Sequence, residues 1–172
     1  VTRDVSRPEF IALIAGLMAL NAMAIDVMLP ALPYMGEALG VMNENDRHYV
    51  LTAYMLGVGA AQIAFGPLSD RFGRRAPLMV GLAIYVIAAF AAAFSPTFAT
   101  LLVLRFVQGL GAASTRVIAT SLVRDRFGGR AMAEVMSLVF MVFMIIPVIA
   151  PAIGQVLLLT GPWEYIFFFM AA

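Results

Sequence analysis

Five apolar stretches, each close to bilayer length, dictate what this chain can fold into. A helix needs about 20 apolar residues to cross the hydrocarbon core. The stretches run over residues 10–33, 49–68, 77–94, 98–123 and 133–159, and a sixth occupies 163–172. Backbone polar groups in lipid must find partners inside the chain, so each stretch is expected to be a helix. The alternating ten-residue strands of a membrane barrel are absent. The expected fold class is therefore an all-α membrane protein. The sixth stretch is too short to span, and residue 1 is Val, so the chain is expected to be a truncated piece of a longer protein.

Composition agrees. Hydrophobic residues make up 63% and charged residues 12% of the chain, about half the charged share of a soluble domain. The net charge of +1 gives no field that would favour nucleic acid. With no Cys and a single His, His48, a thiolate or histidine metal centre is not expected, nor is a Ser–His catalytic pair. An enzyme is not expected. Ala22-Met23-Ala24 resembles a signal-peptide cleavage site, but the apolar run continues to Pro33, so the segment is expected to be retained.

Arginine placement orients the bundle. Arg3, Arg7, Arg71, Arg74, Arg75, Arg124, Arg126 and Arg130 fall on one set of alternating ends, and only Arg47 on the other. Positive residues stay on the cytoplasmic side, so the N-terminus is expected there. Asn45 or Asp46 is expected to cap the second helix. Pro77 suits the first turn of the third, and Pro96 and Pro162 mark tight outer turns. His48 reads as a surface residue of the outer loop.

Within the stretches, small residues mark close packing. The second carries Ala53, Gly57, Ala60, Ala61 and Ala64, and the fourth Gly109, Gly111, Ala112 and Ala113. The fifth carries Pro147, Pro151 and Gly154, a pattern expected to kink or bend it. Three charges lie at membrane depth, where an unpaired charge is costly. Asp26 and Arg105 fall at similar depth on antiparallel stretches and are expected to pair, either as a structural ion pair or around a proton-binding carboxylate. Arg116 lies eleven residues after Arg105, so Arg105, Gly109, Ala112 and Arg116 share one helix face, expected to be positive and open. Arg116 could also snorkel to water. Glu134 reads as a solvated acid at a helix start.

The most charge-dense segment is Gly66-Pro67-Leu68-Ser69-Asp70-Arg71-Phe72-Gly73-Arg74-Arg75, read as a short polar turn. Asp70 and Arg74 are spaced to pair on one helical turn, while Gly66 and Gly73 would allow close approach and a tight turn. This segment resembles the G-x-L-x-D-R-x-G-R-R/K motif of the major facilitator superfamily at every fixed position. Leu104-Arg105-Phe106-Val107-Gln108-Gly109-Leu110-Gly111-Ala112-Ala113 resembles the family's R-x-x-Q-G-x-G-A-A motif. Pro147 to Gly154 resembles the proline/glycine motif of the drug:proton antiporter branch, with departures at Ala150 and Gln155. Asp26-Val27-Met28-Leu29-Pro30-Ala31-Leu32-Pro33 resembles Bcr/CflA-type multidrug efflux proteins.

The resemblance covers the whole chain, 1–172, as the six-helix N-terminal half of a twelve-helix transporter. It implies that the first three helices and the next three form an inverted pair. It implies proton-coupled export of small, amphipathic, drug-like compounds across a bacterial inner membrane by alternating access. The energy source would be the proton gradient, with no cofactor. Partners would be the small-molecule substrate, membrane lipid and the C-terminal six-helix half. Asp26, Arg105 and Arg116 would serve the central cavity, and Gln108, Gly109 and Gly111 the motif of the fourth helix. Asp70, Arg71, Arg74 and Arg75, joined by Asp125, would form a gating latch. Pro147, Pro151 and Gly154 would flex the fifth helix. An importer of a small metabolite and a non-transporting membrane scaffold are the alternatives.

Overall fold

The computed structural model describes residues 6–172. Arg3, counted above among the cytoplasmic arginines, lies outside the described residues. Among those residues there is no strand. Five helical spans are long and apolar enough to cross a membrane: Arg7–Ala38, Glu44–Phe72, Arg75–Ala92, Phe98–Arg126 and Gly129–Thr160.

The first span is not one helix. α1 covers Arg7–Asp26, a 3-10 turn follows at Leu29–Ala31, and α2 covers Leu32–Ala38. The expected helix over 10–33 thus breaks after Asp26, and the helical span ends later, at Ala38. Proline explains the break. Pro30 has no N–H to give the carbonyl of Asp26, four residues back, and its ring crowds that carbonyl. α1 stops at Asp26. Its other end is held by Ser6, whose backbone N–H donates to the Glu9 carboxylate at 3.0 Å.

A short α3, Glu44–Arg47, precedes α4, Tyr49–Phe72. Neither Asn45 nor Asp46 caps α4, which starts after His48 without a side-chain cap; Asn43 caps α3 instead, its Oδ1 accepting from the Asn45 N–H at 3.0 Å. α4 also corrects the reading of residues 66–75 as a turn. The helix continues through Gly66, Pro67 and Asp70 to Phe72, and only Gly73 and Arg74 separate it from α5, Arg75–Ala92. Hydrophobicity ends where lipid ends, but helical hydrogen bonding continues into water. Gly73 has φ +78°, which favours glycine. Gly66 is helical and a Cβ there would meet nothing within 4 Å, so the backbone here does not require it.

α6, Phe98–Arg126, is the longest element and starts at Thr97, whose Oγ1 accepts from the Thr100 N–H at 3.2 Å. It contacts α4, α5, α1 and α7, so it forms the axis of the bundle. The fifth span breaks like the first. α7 covers Gly129–Phe143 and α8 covers Ile146–Thr160. Pro147 would crowd the carbonyl of Phe143, and α7 ends at Phe143. The break therefore lies ahead of the prolines, and Pro151 sits inside an intact α8. α9, Glu164–Ala171, begins the sixth helix.

Glycines set the tightest contacts. A Cβ at Gly57 would overlap the Phe106 carbonyl, and one at Gly109 the Tyr54 carbonyl, so α4 and α6 meet backbone to backbone. Gly111 and Gly81 do the same between α6 and α5. Gly154 of α8 meets the Val27 carbonyl just after α1 ends, with Pro30 Cγ 2.9 Å from where its Cβ would sit. Of the stripe expected on the second helix, Gly57 and Ala61 are buried, whereas Ala60 and Ala64 are exposed. A second buried cluster joins α1, α6 and α7 at the arginine-rich end through Phe10, Ile14, Met18, Val123, Val135 and Val139. There Arg7 pairs with Glu134 at 3.0 Å; the Glu134 side chain stays largely exposed, a solvated acid as expected, but it lies past the first turn of α7 rather than at the helix start.

Candidate functional site: a chamber beside a broken helix and a charged clamp

The expected Asp26–Arg105 pair does not form. Ion pairs among the described residues join only Arg7 to Glu134 and Arg74 to Asp70 and Asp125. Arg105 is fully buried in the bundle rather than exposed on an open face. Its Nη2 donates to the Ala24 carbonyl at 2.9 Å, and Nη1 to Gln108 Oε1 at 2.8 Å. Its guanidinium lies 4.4 Å from the Tyr54 ring centroid and 5.9 Å from that of Phe167. The aromatic faces take the place of a carboxylate as the stabilising negative charge.

The break in α1 explains the contact with Ala24. In an unbroken helix the Met28 N–H would bond to Ala24, but here it donates to Ile25 at 3.3 Å. A buried carbonyl is left over, and Arg105 satisfies it. Arg105 and Gln108 therefore organise the segment that carries Asp26 without touching its carboxylate.

Asp26 and Arg116 face a different space. Both line a cavity of about 320 Å³ with Asn21, Met55, Phe140 and Phe143. A neighbouring cavity of about 230 Å³ shares Asn21, Ile25, Met55 and Arg116 with it and adds Tyr54 and Gln62. The four shared residues make these two lobes of one chamber. Arg116 and Gln62 also border a third cavity of about 520 Å³, which reaches Gly66, Asp70 and Arg124 at the arginine-rich end. Arg116 is thus the one charged residue common to all three. It is exposed, whereas Arg105, eleven residues earlier on roughly the same face, is buried under α1, α4 and α9.

The sequence reading missed Asn21, Tyr54 and Gln62. The Tyr54 hydroxyl donates to Asn21 Oδ1 at 3.3 Å, and Asn21 Nδ2 is buried without a hydrogen-bond partner. A polar Asn in an apolar run, five residues before Asp26, was the available signal. A Tyr inside the second stretch reads as packing until Arg105 is seen against it.

At the arginine-rich end, Arg74 forms a clamp. Nη1 donates to Asp70 Oδ1 at 2.7 Å and to Ser69 Oγ at 2.6 Å. Nε and Nη2 donate to the two Asp125 oxygens at 2.9 and 3.3 Å, a bidentate pair. One guanidinium thereby ties the end of α4 to the end of α6. Its hydrogen bonds to Asp125 and then to Asp70 hold Arg74 above the usual arginine range. Arg71 instead stacks on Phe72 at 5.3 Å. Arg75 opens α5 and joins no ion pair among the described residues. Those residues include no cluster of three or more metal-ligating side chains.

Residues 14–172 match the Major Facilitator Superfamily. The chain is similar to multidrug resistance protein MdtL of Shewanella oneidensis, 36% identical over 157 residues, which cover 91% of this chain and 39% of the relative. It is also similar to MdtL of Klebsiella pneumoniae, 36% identical over 154 residues, and to MdtL of an Escherichia coli strain, 36% over 155 residues; both alignments cover 90% of this chain and 39% of the relative. The chain thus spans about two fifths of the length of these relatives.

Proposed function

Because the chain belongs to the major facilitator superfamily, we propose that it forms the N-terminal half of a transporter that exports drug-like compounds in exchange for protons. One observation carries this reading. Asp26 ends α1 at a proline break, faces the chamber and has no ion-pair partner among the described residues. Discontinuous helices at membrane depth mark transporter binding sites, and an intramembrane carboxylate without a counter-charge is a natural proton carrier. Similarity to relatives named multidrug resistance proteins supports export over import.

The proposed cycle uses this chain's own groups. Asp26 holds a proton while the chamber faces outward and gives it up on the cytoplasmic side, and an amphipathic substrate competes for the same wall. Phe140, Phe143, Met18 and Met55 supply an apolar lining. The Asp70–Arg74–Asp125 clamp lies at the cytoplasmic end, where it would meet the C-terminal half and hold the outward-open state. The break after Asp26, packed against Gly154, and the break after Phe143 give the first and fifth helices places to bend. The N-terminus lies in the cytoplasm and the host membrane is a bacterial inner membrane. No cofactor is required, because the proton gradient supplies the energy.

The test is drug susceptibility of an efflux-deficient host expressing the full-length protein, with and without a collapsed proton gradient. Protection that disappears with the gradient is expected, and Asp26→Asn should abolish it while the protein still inserts. No protection against a broad compound panel, or full coupling in Asp26→Asn, would overturn the reading.

A further inference from the structure

The chamber carries two charges of opposite sign, and neither is paired with a charged side chain among the described residues. Asp26 and Arg116 line the same 320 Å³ lobe. Other charged and titratable groups near it are already committed: Arg105 is buried against Ala24 and Gln108, and the Tyr54 hydroxyl bonds to Asn21. α7 and α8 contribute only Phe140, Phe143 and Pro147. Asn21, whose Nδ2 donor has no hydrogen-bond partner, borders both lobes.

A ligand complementary to this wall has a cation at one end and an anion at the other. We infer that the chamber recognises zwitterionic, aromatic compounds, with a ligand ammonium at Asp26 and a ligand carboxylate at Arg116. Asn21 offers the anionic end a further hydrogen bond, and the Phe140–Phe143 side takes the aromatic body. A lipophilic monocation would leave Arg116 without a ligand counter-charge, and a monoanion would leave Asp26 so. Each forgoes one charge-assisted contact that the zwitterion makes. The assignment rests on reading this chamber as the transport cavity and narrows the class of compound it holds.

The test measures binding of norfloxacin, which carries a carboxylate and a piperazinium, and of its methyl ester, which keeps only the cation. Full-length protein in detergent is titrated by following quinolone fluorescence. Wild type is expected to favour the zwitterion over the ester by about tenfold, as a charge-assisted hydrogen bond supplies. Arg116→Gln should bring that ratio to near one, and Arg116→Lys should retain part of the preference. A wild-type preference for the ester, or an unchanged ratio in Arg116→Gln, overturns the inference and leaves the transport cavity standing. A wild-type protein that binds neither compound overturns both.

Discussion

Arg105 Nη2 donates to the Ala24 carbonyl at 2.9 Å, two residues before the acid it was expected to neutralise. The buried cation of α6 serves the backbone of α1. It supplies the donor lost where Met28 turns its N–H to Ile25, so the break beside Asp26 and the burial of Arg105 support one another.

Removing that cation should therefore damage the fold before it changes any titration. Arg105→Ala takes the donor from the Ala24 carbonyl and from Gln108 Oε1 and opens a large cavity, a loss of about 3–5 kcal/mol. Arg105→Lys should recover only part, because one ammonium does not reproduce a fork that bonds Ala24 and Gln108 together. Thermal unfolding of the full-length protein in detergent checks both. An Arg105→Ala protein as stable as wild type would show that the contact holds nothing together.

The break itself has a separate test. Pro30→Ala restores an N–H opposite Asp26 and removes the ring that crowds it. α1 should then extend past Asp26, with the Met28 amide returning to Ala24. Hydrogen exchange should show the amides of residues 28–31 better protected than in wild type, and drug export should fall. Unchanged exchange would mean that packing against Gly154, not the proline, makes the break.

Glycines at two sites should behave oppositely. Gly154→Ala drives a methyl group into the Val27 carbonyl, and should cost about 1–3 kcal/mol by overpacking. Gly66→Ala meets open space inside a helix, and should be neutral or stabilising by up to about 1 kcal/mol. If the C-terminal half covers Gly66, the same variant loses transport without losing stability. Melting curves and transport assays on both variants separate these outcomes.

The clamp should affect transport more than stability. Asp70 and Asp125 have well-exposed side chains, 61% and 47% accessible, around a single Arg74, and exposed pairs stabilise little. Asp70→Asn and Asp125→Asn should leave expression and melting temperature close to wild type while reducing export. Because its partners raise the Arg74 pKa, its charge persists below and through the ordinary arginine range, so alkaline pH should not open the clamp. Acid pH should open it only once Asp125 is protonated, and the hydrogen bond from Arg74 holds that carboxyl below the usual carboxylate range. A large fall in melting temperature in either variant would assign the clamp to folding instead.

Sequence alone determined the membrane class, the number of spans and the family resemblance, because bilayer thickness and backbone satisfaction act on any chain in the same way. It also placed Asp70 and Arg74 one helical turn apart, a local relationship fixed by the 3.6-residue period. Tertiary structure decided the partners of the buried charges. Asp26 and Arg105 lie at matching depth by residue count, but depth does not set azimuth. The rotation of α6, fixed against α4 where Gly109 meets the Tyr54 carbonyl, turns Arg105 inward and leaves Arg116 beside Asp26's chamber. The proline positions were legible, but the breaks fall where each ring meets the carbonyl four residues back, at Asp26 and Phe143. That Gly154 of one broken helix packs at the break of the other is a contact between distant residues, so only the folded bundle could show it.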